Sequence, residues 1–85
     1  MNATFDLAQT SKQVTKVLRR HFGDNAAILT AEGWHGRVHV KIVSDAFNGL
    51  GEDEKQEMIW HALREDLGED AQAVSLVLAY GLDEI

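Results

Sequence analysis

Hydrophobic residues repeat along the chain with two different periods, and the first of them predicts a helix near the N-terminus. Within residues 11–22 the apolar side chains recur every three or four positions, as on one face of an α-helix; they are Val14, Val17, Leu18 and Phe22. Thr10 and Gln13 fit a capping box at the helix start, and Gly23 is a typical helix stop. The pattern predicts a first helix over residues 11–22, preceded by a loosely ordered N-terminus of residues 1–10.

Two stretches of alternating polarity follow, and they predict a β-hairpin. Residues 26–32 form a weak strand, and residues 37–44 alternate clearly between apolar and polar side chains. In the second stretch the apolar positions are Val38, Val40 and Ile42, and the polar positions are Arg37, His39 and Lys41. Only the glycine-bounded loop Gly33–Gly36 separates the two stretches, so antiparallel pairing is expected.

The second half of the chain predicts a short helical turn, a long helix and a final strand. Residues 45–51 hold an asparagine and two glycines around Phe47, which is typical of a turn. From Glu52 a group of acidic residues precedes an apolar stripe of helical spacing, and this amphipathic helix ends at Gly68. Residues 71–80 alternate again. One side of that strand carries Val74, Leu76, Leu78 and Tyr80, and the other carries the smaller Ala73, Ser75, Val77 and Ala79.

This order of elements predicts an α+β fold, with a single domain over residues 11–85. Amphipathic helices and three strands suit a two-layer sandwich in the order αββααβ, with the main helices on one face of a three-stranded mixed sheet. Because the last strand follows a helix, it is expected to pair in parallel with a neighbour. The other face of the sheet would carry Arg37, His39 and Lys41 and would stay partly solvated.

The composition excludes several kinds of site. The chain of 85 residues has no cysteine, so disulfides, thiolate metal ligands and cysteine nucleophiles are excluded. No run approaches the roughly 20 apolar residues of a membrane span, and the N-terminus lacks the charged start and apolar block of a signal peptide. We therefore expect a cytoplasmic protein.

Charge is distributed unevenly along the chain, which leaves nucleic-acid binding as an alternative function. The formal net charge is −6, and a negative protein is repelled by phosphate backbones. Four of the 8 Lys and Arg residues nevertheless lie together in the predicted first helix; they are Lys12, Lys16, Arg19 and Arg20. These four side chains are the candidate contacts of a nucleic-acid-binding transcriptional regulator.

Several pieces of the sequence, in their order and spacing, resemble the BolA-like family over about residues 11–85. They are Ile42-Val43-Ser44-Asp45 followed by Phe47-Asn48-Gly49, then Lys55-Gln56 and Trp60, and finally Ala73-Val74-Ser75-Leu76. The resemblance implies an αββααβ fold similar to a type II KH domain. It also implies a monothiol glutaredoxin as the partner. The two proteins would share a [2Fe–2S] cluster, to which the glutaredoxin and glutathione supply sulfur. The BolA-like chain would supply nitrogen from a histidine at the start of the last strand, assisted by a histidine or cysteine between the first two strands. Some members are described as stress-response or transcriptional regulators.

The chain departs from that family pattern at the residue that would hold the cluster. Gln72 stands where the resemblance places the histidine of the last strand, and an amide is a poorer ligand for iron than an imidazole. His35 in the Gly33–Gly36 loop is then the remaining candidate metal ligand. The chain also reads Asp83-Glu84-Ile85 where the family usually has a glutamate-tryptophan pair. We expect no cofactor bound by this chain alone, and weakened or lost ligation of a shared cluster.

An adaptor that binds a monothiol glutaredoxin or a related iron–sulfur handling protein is the leading functional hypothesis. The residues expected at its contact surface are Trp34, Arg37, His39, Lys41 and Gln72. The loop Gly33–Gly36 has the GxxG spacing of KH domains, but it joins two strands rather than two helices, which argues against RNA clamping. No catalytic motif occurs, so no enzymatic activity is expected. The oligomeric state is expected to be a monomer or a weak homodimer, built on a sheet face whose small side chains permit close approach.

Overall fold

The computed structural model describes residues 6–85 and shows the α+β architecture that the sequence predicts. Its helices and strands are α1 (Leu7–Phe22), β1 (Ala27–Glu32), β2 (Val38–Val43), α2 (Glu52–Leu67) and β3 (Val74–Tyr80). Short 3-10 turns lie between or after them, at Trp34–Gly36, Asp45–Phe47, Gly68–Ala73 and Leu82–Glu84. The predicted short helix is the single turn Asp45–Phe47. Neither helix in this part of the chain combines the length and hydropathy needed to cross a membrane.

Strand β2 lies at the centre of the sheet and pairs with both other strands. It runs antiparallel to β1, with Ile42 opposite Ile28, and this confirms the predicted hairpin. It runs parallel to β3, with Val40 opposite Val77, and the chain crosses between the two through α2. The predicted mixed sheet is therefore confirmed, including the parallel pairing of the last strand.

The two faces of β3 differ from the predicted faces because the ladder between β2 and β3 is irregular. Val38 lies opposite Val74, but the next residue of β2 lies opposite Leu76, so Ser75 is an extra residue on β3. Val74 and Val77 consequently both face the core, although strict alternation places them on opposite sides. The outer face carries Leu76 and Leu78 rather than the small residues that the sequence reading assigned to a close homodimer contact.

Helix α1 begins four residues earlier than the sequence predicts. Asp6 is its N-cap, and the Asp6 carboxylate accepts a hydrogen bond of 3.2 Å from the Gln9 amide. Thr10, the predicted cap, is instead buried inside the helix. Residues 7–10 are thus helical rather than loosely ordered, and residues 1–5 lie outside the described part of the chain.

The core lies between the helices and one face of the sheet. It contains the predicted apolar side chains Val38, Val40 and Ile42 of β2, together with Leu18 of α1 and Ile59 of α2. Phe47 is fully buried, and its ring centroid lies 5.0 Å from that of Phe22. The buried Ser44 hydroxyl donates a hydrogen bond of 2.8 Å to the Phe22 carbonyl and accepts one from the Ala46 amide. The end of α1 is thereby joined to the turn that follows β2.

A buried lysine ties α2 to the end of β3. The side chain of Lys55 is 2% exposed, and its ammonium group donates to the Ala79 carbonyl at 2.9 Å and to the Glu84 carboxylate at 2.8 Å. Glu52 lies 3.4 Å away on the same helix. A buried charge is strongly unfavourable without such partners, so this arrangement fixes the start of α2 against β3 and the turn after it.

The ion pair between Lys55 and Glu84 displaces the titration of both groups. The hydrogen bond that the Lys55 ammonium group donates to Glu84 raises the pKa of Lys55 above 10.5, although burial opposes this increase. Hydrogen bonding from the Gly81 amide, followed by the bond from Lys55, lowers the pKa of Glu84 below 4.5. The lysine contribution to stability is therefore present below pH 10.5 and is lost as pH rises through the higher folded pKa.

The turn after β3 is also tied to the loop that precedes α2. Gly49 donates its amide to the Asp83 carboxylate at 2.9 Å, and the Asp83 amide donates to the Asn48 side chain at 3.2 Å. Gly81 lies between these groups, and a β-carbon there would lie 3.0 Å from the Asn48 Cα. A side chain at position 81 would therefore push the two segments apart.

The substitution Glu84→Gln is expected to destabilise the protein at neutral pH and to matter less in acid. The glutamine keeps an acceptor for the Gly81 amide but loses the charge that pairs with Lys55. A carboxyl group with a lowered folded pKa stabilises the protein above its unfolded pKa of 4.5, and this stabilisation disappears as pH falls through the folded pKa. The difference in free energy of unfolding between wild type and variant, measured by urea denaturation, should be largest near neutral pH and shrink below pH 4.5.

The matched control is Glu57→Gln, which changes an exposed carboxylate of α2, the helix of Lys55, that forms no ion pair within residues 6–85. It should leave stability nearly unchanged at both pH values. A Glu84→Gln variant as stable as the wild type at neutral pH would contradict the role assigned to this carboxylate.

Candidate partner-binding groove

A groove of ≈ 320 Å³ lies between α2, the turn Gly68–Ala73 and the residue that precedes β2. The side chains that define its chemistry are Arg37, Trp60, Arg64, Glu69, Gln72 and Val74. They come from three separate parts of the chain, which the fold brings together. Two of them, Arg37 and Gln72, belong to the contact surface predicted from the sequence.

The indole of Trp60 forms a fixed wall of this groove. It is half-buried and packs against the hydrophobic core. Its Nε1 donates a hydrogen bond of 3.1 Å to the Gln56 side-chain oxygen, and the Gln56 amide nitrogen donates to the Val77 carbonyl at 2.9 Å. The indole is therefore held in place by β3 through Gln56, and its accessible part faces the groove.

The charges in the groove are mostly positive. Arg37 and Arg64 are exposed, and neither forms an ion pair with any residue in the range 6–85. By contrast, Arg20 of α1 lies 3.6 Å from the Asp66 carboxylate. Glu69 supplies the single carboxylate among the lining side chains. Two guanidinium groups with free donors suit the recognition of an oxyanion.

The remaining predicted contact residues do not line the groove. In the expected row of Arg37, His39 and Lys41, only Arg37 departs from the prediction, because it precedes β2 and lines the groove with Gln72. Lys41 lies on the outer face of the sheet, with its ammonium group 5.6 Å from the centre of the Tyr80 ring. The predicted surface is thus divided into separate regions.

Trp34 and His39 form one of these regions, at the hairpin loop. Their ring centroids are 5.6 Å apart and nearly perpendicular, and Trp34 is 72% exposed. His39 is half-buried, and its Nε2 is buried without a hydrogen-bond partner among residues 6–85. Gly33 packs so closely that a β-carbon there would lie 2.5 Å from the His39 ring and 2.7 Å from the Ser75 hydroxyl. The loop therefore requires a glycine at this position.

The loop presents His35 at its tip. His35 is exposed and has a left-handed backbone with φ of 56°. The Gly33 amide donates to the Arg37 carbonyl at 2.6 Å and closes the loop beneath it. His35 does not line the groove that contains Gln72, so its predicted role as a metal ligand stays a prediction.

The side chains of the groove do not fit a metal cluster. Within residues 6–85 no group of three or more His, Cys, Asp or Glu side chains could hold a metal ion. The groove offers guanidinium groups, an indole, an amide and one carboxylate, none of which is the sulfur or imidazole ligand that iron–sulfur clusters use. The groove is chemically suited to binding a polar organic group rather than iron.

The outer face of the sheet is an apolar surface that the sequence reading missed. Leu29, Lys41 and Leu78 lie in one row across the three strands. Leu29 is 66% exposed, and Leu76 and Leu78 are 43% and 45% exposed. The sequence pattern did not reveal this surface, because the extra residue at Ser75 decides which side chains of β3 point away from the core. The expected weak homodimer stays a prediction, and the side chains available to it are leucines rather than small residues.

The basic residues of α1 line one region of the surface. Lys12, Lys16, Arg19 and Arg20 line a shallow depression along the helix, together with Ser11, Thr15 and the acidic Asp24. Arg20 is also paired with Asp66. Within residues 6–85 the other three side chains form no ion pair, so α2 partly neutralises one of the four cations.

Comparison with known proteins identifies the fold. No protein-family model matches the chain, and no curated protein sequence matches it. Among solved structures, BolA1 from Arabidopsis thaliana matches with a TM-score of 0.69 and 17% identity, over 89% of this chain and 95% of its own. The BolA domain of SufE1 from Arabidopsis thaliana matches with a TM-score of 0.66 and 18% identity, over 88% and 94%. The fold is BolA-like.

Several pieces of the sequence on which the BolA-like resemblance rests have structural roles in this fold. Ser44 caps the turn after β2 and bonds to α1, and Phe47 is in the core. Gly49 has a φ of 77°, a conformation that glycine adopts without strain. Lys55 holds β3 and the turn after it. These residues stabilise the fold, whereas Gln72 and Arg37 are accessible in the groove.

The substitution Gly33→Ala is expected to disrupt the hairpin loop. The added methyl group must displace the His39 ring, which Trp34 contacts, and the Ser75 hydroxyl. Overpacking of this kind costs about 1–3 kcal/mol of stability. Near-ultraviolet circular dichroism should show a loss of the Trp34 signal, and denaturation should show the loss of stability.

Gly51→Ala serves as a control for the spectrum, because a β-carbon at position 51 lies no closer than 3.6 Å to another group. This variant should keep the aromatic spectrum of the wild type. An unchanged spectrum in Gly33→Ala would mean that the loop accommodates a side chain, contrary to the packing described.

Proposed function

We propose that this BolA-like chain is an adaptor that binds a monothiol glutaredoxin or a related iron–sulfur handling protein, with its own ligation of a cluster weakened or lost. One observation carries the proposal. Gln72, at the position where the family resemblance expects a histidine, lines an accessible groove with Arg37 and Trp60. The groove keeps the features of a protein contact while lacking a good ligand for iron.

The composition of the groove supports a binding role. Tryptophan and arginine are the residue types most enriched where protein contacts contribute most to affinity. Trp60 is already fixed by Gln56, so little side-chain entropy is lost when a partner covers it. The groove holds no nucleophile paired with a general base, which is the arrangement that covalent catalysis requires. These features favour an adaptor over an enzyme.

The expected location is the cytoplasm, where a glutaredoxin partner would be encountered. The BolA-like fold and the groove support the partner class only through the family resemblance. The identity of the partner is therefore the first point that the experiment tests.

Mixing the protein with a cluster-loaded monothiol glutaredoxin is expected to give co-elution on gel filtration with little change in visible circular dichroism. Gln72→His should restore an imidazole beside Arg37 and produce a clear visible signal. Asn25→His places an imidazole on the exposed turn between α1 and β1, which contributes no residue to the groove, and should behave as the wild type.

The outcomes separate binding from ligation. Absence of co-elution at micromolar concentrations would remove the adaptor function. A wild-type complex with a strong visible signal that His35→Ala abolishes would show that the loop histidine ligates the cluster, and the proposed loss of ligation would then be wrong.

Nucleic-acid binding is a second candidate, which we propose because the basic residues of α1 line one shallow depression. The interaction would be electrostatic, so its affinity should fall with salt by about 0.9 logarithmic units per tenfold increase for each phosphate contacted. Filter binding with duplex DNA at low salt should show binding that Lys12→Gln and Lys16→Gln reduce and that Lys41→Gln, on the sheet, does not. No retention at low salt would remove this candidate.

A further inference from the structure

The groove between α2 and the turn Gly68–Ala73 contains two unpaired arginines in a chain that has an excess of acid. The chain has 14 acidic and 8 basic residues, yet neither Arg37 nor Arg64 is paired within residues 6–85. Arg64 lies in the last turn of α2, where the partial negative charge of the helix C-terminus favours a cation. That charge does not account for Arg37, which comes from the hairpin. An oxyanion from outside the chain would complement both guanidinium groups.

Next to this positive charge the groove offers apolar surface. Trp60, which is half-buried, presents the accessible part of its indole. A ligand that carried only charge would leave this surface in contact with water. A ligand with an apolar group beside its anion would cover it and gain from the removal of apolar area from water.

The remaining polar side chains suit a peptide rather than an inorganic anion. The Gln72 amide can donate and accept, as a peptide backbone requires, and the Glu69 carboxylate can accept a backbone N–H. Sulfate and phosphate offer no N–H group to Glu69, and their higher negative charge would be repelled by it. The lining therefore contains complementary groups for each part of an acidic peptide segment.

We infer that the groove binds a peptide segment that carries a carboxylate beside an apolar side chain. The carboxylate accepts hydrogen bonds from Arg37 and Arg64, the apolar side chain packs on Trp60, and Gln72 and Glu69 bond to the backbone. This inference rests on the proposed adaptor function, since it names the part of the partner that would occupy the groove.

The two tryptophans of the chain provide a direct test of this assignment. In the Trp34→Phe variant the single indole is Trp60, which reports on the groove. The probe is the blocked peptide acetyl-Leu-Glu-Leu-amide, and the matched probe is acetyl-Leu-Gln-Leu-amide. The glutamate peptide should change Trp60 fluorescence saturably, and the glutamine peptide should bind about tenfold more weakly because the charge-assisted hydrogen bonds are lost.

Variants on the same background locate the binding. Arg64→Gln should weaken binding of the glutamate peptide about tenfold. Arg19→Gln should not, because Arg19 lies on α1, outside the groove, and forms no ion pair in the described part of the chain. Trp60→Phe, made instead in the chain that keeps Trp34, has its single indole in the hairpin loop and should show no fluorescence change. Equal binding of the two peptides, an equal response to sodium sulfate, or no saturable response would each overturn the inference.

The same arginine variants distinguish this inference from the adaptor function. The double variant Arg37→Gln, Arg64→Gln should lower the affinity for glutaredoxin, followed by co-elution, at least tenfold. Arg19→Gln should leave this affinity unchanged. If the wild-type protein binds glutaredoxin and the double variant binds equally well, the adaptor function stands and the groove assignment is wrong. If no glutaredoxin binds but the glutamate peptide does, the groove assignment stands and the partner class is wrong.

Discussion

The buried ammonium group of Lys55 is the interaction that holds the layers of this protein in place. It joins the first turns of α2 to the Ala79 carbonyl of β3 and to Glu84 in the turn beyond it. Asp83 of that turn also accepts a hydrogen bond from the Gly49 amide in the loop before α2. Because an unpaired buried charge is so unfavourable, the helix, the strand and the final turn can be buried together or not at all. The position of α2, and with it Trp60 of the groove, follows from this constraint.

The groove is a consequence of how the sheet and α2 meet, and its chemistry differs from that of the rest of the surface. Most of the acidic residues are exposed on other parts of the surface, whereas the groove places two guanidinium groups beside a fixed indole. Such a site has few groups that iron prefers and several that a protein segment prefers. The chemistry of such a groove depends on side chains such as Gln72 and not on the BolA-like fold itself.

Much of the fold could be predicted from periodicity, because β2 and the two helices each bury one regular face. The failures have local causes that periodicity does not contain. The extra residue at Ser75 places Val74 on the core face together with Val77. The Asp6 side chain caps α1, which therefore begins before the predicted residue. The groove could be predicted only in part. Gln72 was predicted through the family resemblance. Its neighbours Arg64 and Trp60 lie beside it because α2 crosses from β2 to β3, and the sequence pattern did not predict this proximity.

The parallel pairing of β2 with β3 has a consequence for when the groove exists. The hairpin that carries Arg37 closes locally, whereas the segment with Gln72 must return across the whole of α2 before it can pair. Contacts between parts of the chain that are distant in sequence form slowly, since their loop-closure entropy must be overcome first. The groove is therefore a property of the completed native state alone. A partner that binds in the groove would bind the native state and not the unfolded chain. Its binding would therefore stabilise the fold by mass action.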